Sequence, residues 1–148
     1  MKPQIRFIAF ILVVLLAACK GNDTTTVTPA TKTELLIGNN WKMNRITDLS
    51  GTQISDSKLA IQTIAIYGMD IQFTNTNITR AYDRVSKQVL NSGTWKLIDN
   101  EQTVDINITG FVGQFGLSDL SKTKMSLKTK VPVSGVSQDA IMEFVPAN

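Results

Sequence analysis

"GTWKLIDNEQTVDINIT", Gly93 to Thr109, sets the fold class of this chain. Trp95 and Leu97 share one face of its first half, and in its second half Val104, Ile106 and Ile108 alternate with Thr103, Asp105 and Asn107. Between them lies "DNEQ", Asp99 to Gln102, a short run of turn residues. Side chains alternate across a strand, so two period-two runs around a polar turn specify an antiparallel hairpin with one buried face.

The same grammar extends in both directions. "MDIQFTNTNITRAYD" places Met69, Ile71 and Phe73 on one face, turns at Asn75 to Asn77 and returns over Ile78 to Asp83. "WKMNRIT" puts Trp41 and Met43 together, and "SQDAIMEFV" closes the chain with Ala140, Met142 and Phe144 on one face. "FGLSDLSKTKMSLKTKV" supplies two further extended stretches that meet around Ser118 to Ser121, while the spaced glycines of "GFVGQFG", Gly110 to Gly116, predict a loop. Ser55 to Tyr67 suits a short helix or irregular crossover leading into a strand, since Ser55 or Asp56 can cap a helix while the β-branched residues near its end favour extension. Seven to nine short strands with little helix predict an all-β domain, a small up-and-down antiparallel barrel or a sandwich, and closure removes exposed edges.

The N-terminal end differs from this pattern. Lys2 and Arg6 precede the apolar run "FIAFILVVLLAA", Phe7 to Ala18, which is short for a membrane-spanning helix and has the form of a secretory signal. It ends in "LAAC", Leu16 to Cys19, which looks like a bacterial lipobox, where the cysteine thiol is acylated and the chain is cut before it. Cys19 is the single cysteine, so a disulfide within the mature chain is excluded. "KGNDTTTVTPATKT", Lys20 to Thr33, reads as a tether, and its "DTT" at Asp23 to Thr25 is similar to an O-glycosylation site of Bacteroidetes envelope proteins. The expected organisation is therefore a cleaved signal over 1–18, a lipidated cysteine and Thr-rich tether over 19–33, and one domain over 34–148.

Composition excludes several chemistries. The precursor carries a net charge of +3, but without Lys2 and Arg6 thirteen basic residues face twelve acidic ones, which argues against a nucleic-acid partner. Histidine is absent, which removes Ser-His and Cys-His nucleophile systems and imidazole metal sites. Asp99, Glu101 and Asp105 fall in a turn or on a polar face, where a raised carboxyl pKa for acid catalysis is not expected. No enzymatic role, metal or cofactor is expected.

"LLIGNNWKM" with "DIQF", "GTWKLID", "VDINI", "SDLSKTKMSL" and "IMEFVP" resembles the lipocalin-like lipoprotein domains abundant in Bacteroidetes, over most of Leu35 to Pro146. The resemblance implies an eight-stranded barrel whose mouth or interior holds an apolar molecule, with a tryptophan after a glycine closing one end. Gly38 and Trp41 match that motif with one extra asparagine, and Gly93 and Trp95 have its spacing in mid-chain. The candidate ligand-binding set is Trp41, Met43, Ile71, Phe73, Trp95 and Leu97, together with Ile106, Met125, Leu127, Met142 and Phe144. A barrel of eight strands is just wide enough either to be filled by such side chains or to hold one small ligand, and both remain open. Lys122, Lys124, Lys128 and Lys130 share one parity and, on a single strand, form an outward stripe suited to solvation or to an anionic contact. The expected protein is anchored by lipid to the bacterial envelope, at the outer membrane, binding an apolar small molecule or lipid; the alternative is a solid accessory module for an envelope protein partner.

Overall fold

The computed structural model describes residues 28–147, so Cys19, the signal segment and most of the tether lie outside the described residues. Helix α1 (Lys32–Ile37) leads into β1 (Asn40–Thr47), and a long crossover with helix α2 (Ile61–Ala65) leads into β2 (Met69–Phe73) and β3 (Ile78–Asp83). Then follow β4 (Val89–Ile98), β5 (Thr103–Ile108), β6 (Phe111–Leu120), β7 (Met125–Val133) and β8 (Val136–Pro146). Each strand pairs antiparallel with the next, and β8 pairs with β1, giving a closed eight-stranded up-and-down barrel. Both hairpins that alternation specified are present, with register pairs such as Ile71↔Ala81 and Trp95↔Ile106.

The crossover Ser55–Tyr67 is helical rather than extended: a 3₁₀ turn at Asp56–Lys58, then α2, then a second 3₁₀ turn at Ile66–Gly68. Ile54, Leu59 and Ile66 are buried along it, so it packs onto one end of the barrel. The end is fixed by Leu59 bridging to Val133 and by the Ser134 N–H donating to the Lys58 carbonyl.

Two expectations are corrected. Phe111 to Gly116 form the first half of β6 rather than a loop, because Phe111 and Phe115 are buried at alternate positions and carry the strand past its glycines. Lys32 and Thr33 belong to α1 rather than to the tether: the Thr31 side chain accepts from the Glu34 N–H while the Glu34 carboxylate accepts from the Thr31 N–H, a capping box that starts the helix.

The strand directions define two ends. The turns 74–77, 99–102 and 121–124 lie at one end with α1, where Lys32 Nζ donates to the Glu101 carbonyl and Asn39 Nδ2 to the Lys122 carbonyl. The crossover and the turns after β3, β5 and β7 lie at the other end, the mouth.

Candidate functional site at the barrel mouth

Ten of the eleven candidate ligand contacts are buried in one cluster, and the eleventh, Leu97, packs against it half-buried. Trp41, Ile71, Ile106, Met125, Leu127 and Phe144 have 0% accessible surface. These side chains fill the barrel as core, and of the candidate set Trp95 and Ile106 also border a separate concavity of about 530 Å³ between β4, β5 and β6. Trp41 closes the end beneath α1, donating its indole N–H to the Leu36 carbonyl at 2.8 Å. Trp95 meets Phe73 edge to face, ring centres 5.2 Å apart, and donates its indole N–H to the Thr74 carbonyl at 3.0 Å. Both tryptophans therefore serve packing, with their polar atoms satisfied by main chain.

The concavity that enters the barrel is at its mouth. A hollow of about 180 Å³ is lined by Thr63 and Ile66 of the crossover, Phe111 and Phe115 of β6, Val131 of β7 and Met142 of β8. Gly113 lies between the two phenylalanines with φ +152°, and a Cβ there would lie 3.5 Å from the Phe115 ring. The Phe115 ring approaches Phe111 to 4.6 Å between centres, while Phe111 in turn lies 6.2 Å from Phe144. The aromatic step forms a floor that separates the hollow from the solid core below. Gln62 and Lys130 supply a polar lip, and Lys130 Nζ is held 3.1 Å from the Asp139 carboxylate.

Of the candidate set, Met142 lines this hollow; the others lie below it or on the barrel wall. Phe111, Phe115, Val131, Thr63 and Ile66 were not in that set. The signal for two of them was present in the sequence, since phenylalanines at positions 111 and 115 share strand parity.

The lysine stripe is divided. Lys128 and Lys130 project from β7, whereas Lys122 and Lys124 lie in the turn before it. Lys124 reaches Asp119 at 3.3 Å and Glu143 at 4.0 Å, so the four ammonium groups do not present one face.

A buried carboxylate stands elsewhere on the wall. Asp70, 2% exposed, receives Arg84 Nε at 3.2 Å and Lys87 Nζ at 2.7 Å, which ties the turn after β3 to β2. In the crossover, burial reinforced by the nearby Asp56 carboxylate pushes the Tyr67 phenol above its ordinary range, so it stays neutral at physiological pH. Among the described residues no group of three His, Cys, Asp or Glu side chains is placed to hold a metal ion. No family model matches the chain, and no curated protein matches it.

Proposed function

We propose that this chain is a lipid-anchored protein of the bacterial envelope, acylated at Cys19, whose barrel holds a small apolar molecule at its mouth. The observation that carries the binding reading is the hollow bounded by Phe111, Phe115, Val131 and Met142, four apolar side chains from three strands under the lip of a helical crossover. Its volume of about 180 Å³ is below the roughly 300–1,000 Å³ of drug-sized pockets, which suits a compact ligand or the end of an acyl chain. The lining offers two hydroxyls, Thr63 and Thr129, and no carboxylate or thiol, which supports binding without chemistry. The apolar run ending in Leu16 to Cys19 supports the anchor and an outer-membrane address.

The test fills the hollow. An environment-sensitive apolar fluorophore should bind the protein, and Val131→Trp should abolish that binding without unfolding the domain; undiminished binding by a folded Val131→Trp variant would sink the mouth site. Intact-mass measurement of the protein from its own envelope tests the anchor, which requires a chain beginning at Cys19 with added acyl mass.

The solid interior favours a second reading, an accessory module that docks to an envelope protein through its surface. Native mass spectrometry separates the two: a co-purified small molecule supports the binding reading, and a co-purified protein supports the second.

A further inference from the structure

The exposed large apolar residues of the barrel are unevenly placed. Leu49 follows β1, Ile61 opens α2, and Val85, Val89 and Leu90 surround the turn after β3, with exposures between 48% and 91%. Val112 and Val136 begin β6 and β8 beside the two remaining mouth turns. All seven are at the mouth end. The turns at the α1 end are polar: Thr74 to Asn77, Asp99 to Gln102 and Ser121 to Lys124. Single exposed apolar residues scattered over a surface need no explanation, but confinement to one end does.

We infer that the mouth end rests on a phospholipid bilayer, with these side chains entering the headgroup layer. Three observations select a bilayer as the occupant. The side chains come from five separate segments around an opening, which makes a ring of protrusions; a fluid surface fills between such tips, whereas a rigid partner needs a matching relief.

Most of the charges at this end are met locally. Asp48 accepts from the Ser50 and Thr52 N–H groups, Asp83 from those of Val85 and Ser86, Asp70 holds Arg84 and Lys87, and Asp139 holds Lys130. Asp56 and Lys58 of the crossover are of opposite sign, so the end carries acidic and basic groups in near balance, which suits zwitterionic headgroups.

The third observation is reach, and it rests on the lipid anchor proposed above. Eleven residues lie between Cys19 and the α1 cap Thr31, a span of up to roughly 40 Å. The longest strand, β8, has 11 residues, roughly 35 Å along its length and less in height once tilted. The tether outreaches the barrel, so the mouth can turn to the membrane that holds the anchor. Tethering also supplies a high effective concentration, so a few partly inserted side chains suffice.

The experiment is vesicle flotation of the unacylated chain from Lys20 onward, which contains α1 and the whole closed barrel. With phosphatidylcholine–phosphatidylethanolamine vesicles the wild type should float. A variant carrying Leu49→Ser, Val85→Ser, Val112→Ser and Val136→Ser should partition at least tenfold more weakly at an unchanged melting temperature. Val131→Trp, which fills the hollow, should float as wild type does, so loss of the ligand site leaves this inference standing. Three results would overturn it: wild type left in solution at saturating lipid, equal flotation of the folded quadruple variant, or light scattering that shows a dimer of the chain abolished by the same four substitutions.

Discussion

Trp41 donates its indole N–H to the carbonyl of Leu36, 2.8 Å away, across the junction between α1 and the first strand. Both residues are completely buried, and that carbonyl belongs to a helix of six residues, too short to stand alone in water. The tryptophan thus fills the end of the barrel and holds the helix that covers it. Trp41→Phe keeps most of the packing but strands the carbonyl, and should cost about 1–3 kcal/mol; Trp41→Ala should cost about 3–5 kcal/mol. Urea midpoints of the two variants check both values.

Gly93 is required by backbone approach. A Cβ built on it would lie 1.9 Å from the Asn107 carbonyl oxygen, so the β5 main chain passes directly over this position. Gly93→Ala must push two paired strands apart, and a loss of about 3 kcal/mol or more is expected. Gly68 has no atom within 4 Å of its would-be Cβ and an ordinary φ, so Gly68→Ala should change stability by no more than about 0.5 kcal/mol. Comparing the two melting curves separates a steric glycine from a permissive one.

The contrast between these tryptophan segments and β6 shows what was legible in the sequence. The hairpins over Met69–Asp83 and from Trp95 to Ile108 kept an alternation of apolar and polar residues, because one face meets the core and the other carries polar side chains, of which Asp70 alone is buried, by its ion pairs. The start of β4 at Val89 lost that signal: Val89 and Leu90 are both exposed, so neither face carries a pattern. At β6 Gly110, Gly113 and Gly116 imitate a loop, although the strand runs through the last two because Phe111 and Phe115 are buried on one face. The α1 start was encoded as Thr31 followed three residues later by Glu34, hidden at the end of a threonine-rich run. The mouth hollow had no motif at all, since its lining is drawn from a crossover and three strands that only barrel closure brings together.

Asp70 should report on how a nearly buried carboxylate is held. Asp70→Ala leaves Arg84 and Lys87 without their shared partner, but their side chains are 31% and 54% exposed and can rehydrate. The expected loss is about 1–3 kcal/mol, below the figure for a fully buried pair. Arg84→Met and Lys87→Met should each cost less than Asp70→Ala, and the double-mutant cycle between Asp70 and Lys87 should give a non-zero coupling.

Acid should weaken the turns before the core. Glu34 is held below its ordinary range by the Thr31 N–H and then the Thr31 hydroxyl, Asp48 by the Ser50 hydroxyl and then the Thr52 N–H, and Asp83 by the N–H and then the hydroxyl of Ser86. Each folded-state pKa lies below its unfolded value, so the stabilisation is complete above the unfolded pKa near about 4 and is lost as pH falls through the lowered folded one. Urea midpoints measured from pH 6 downward should stay level and then decline below about pH 5, and Asp83→Asn should shrink that decline.

Thr79 gives a prediction of the opposite sign. It faces the barrel interior from β3 opposite Phe73, with 0% accessible surface, and its hydroxyl has no hydrogen-bond partner among the described residues. A hydroxyl that neither water nor protein satisfies carries a desolvation cost of about 1–3 kcal/mol. Thr79→Val replaces it with a methyl group of nearly the same shape, so packing against Phe73 is kept while that cost is removed. The variant should unfold at a higher urea concentration than wild type with an unchanged slope, a gain of about 1 kcal/mol. A midpoint lowered by the substitution would show that the hydroxyl is satisfied in solution, and that this part of the interior is less dry than the fully buried ring beside it.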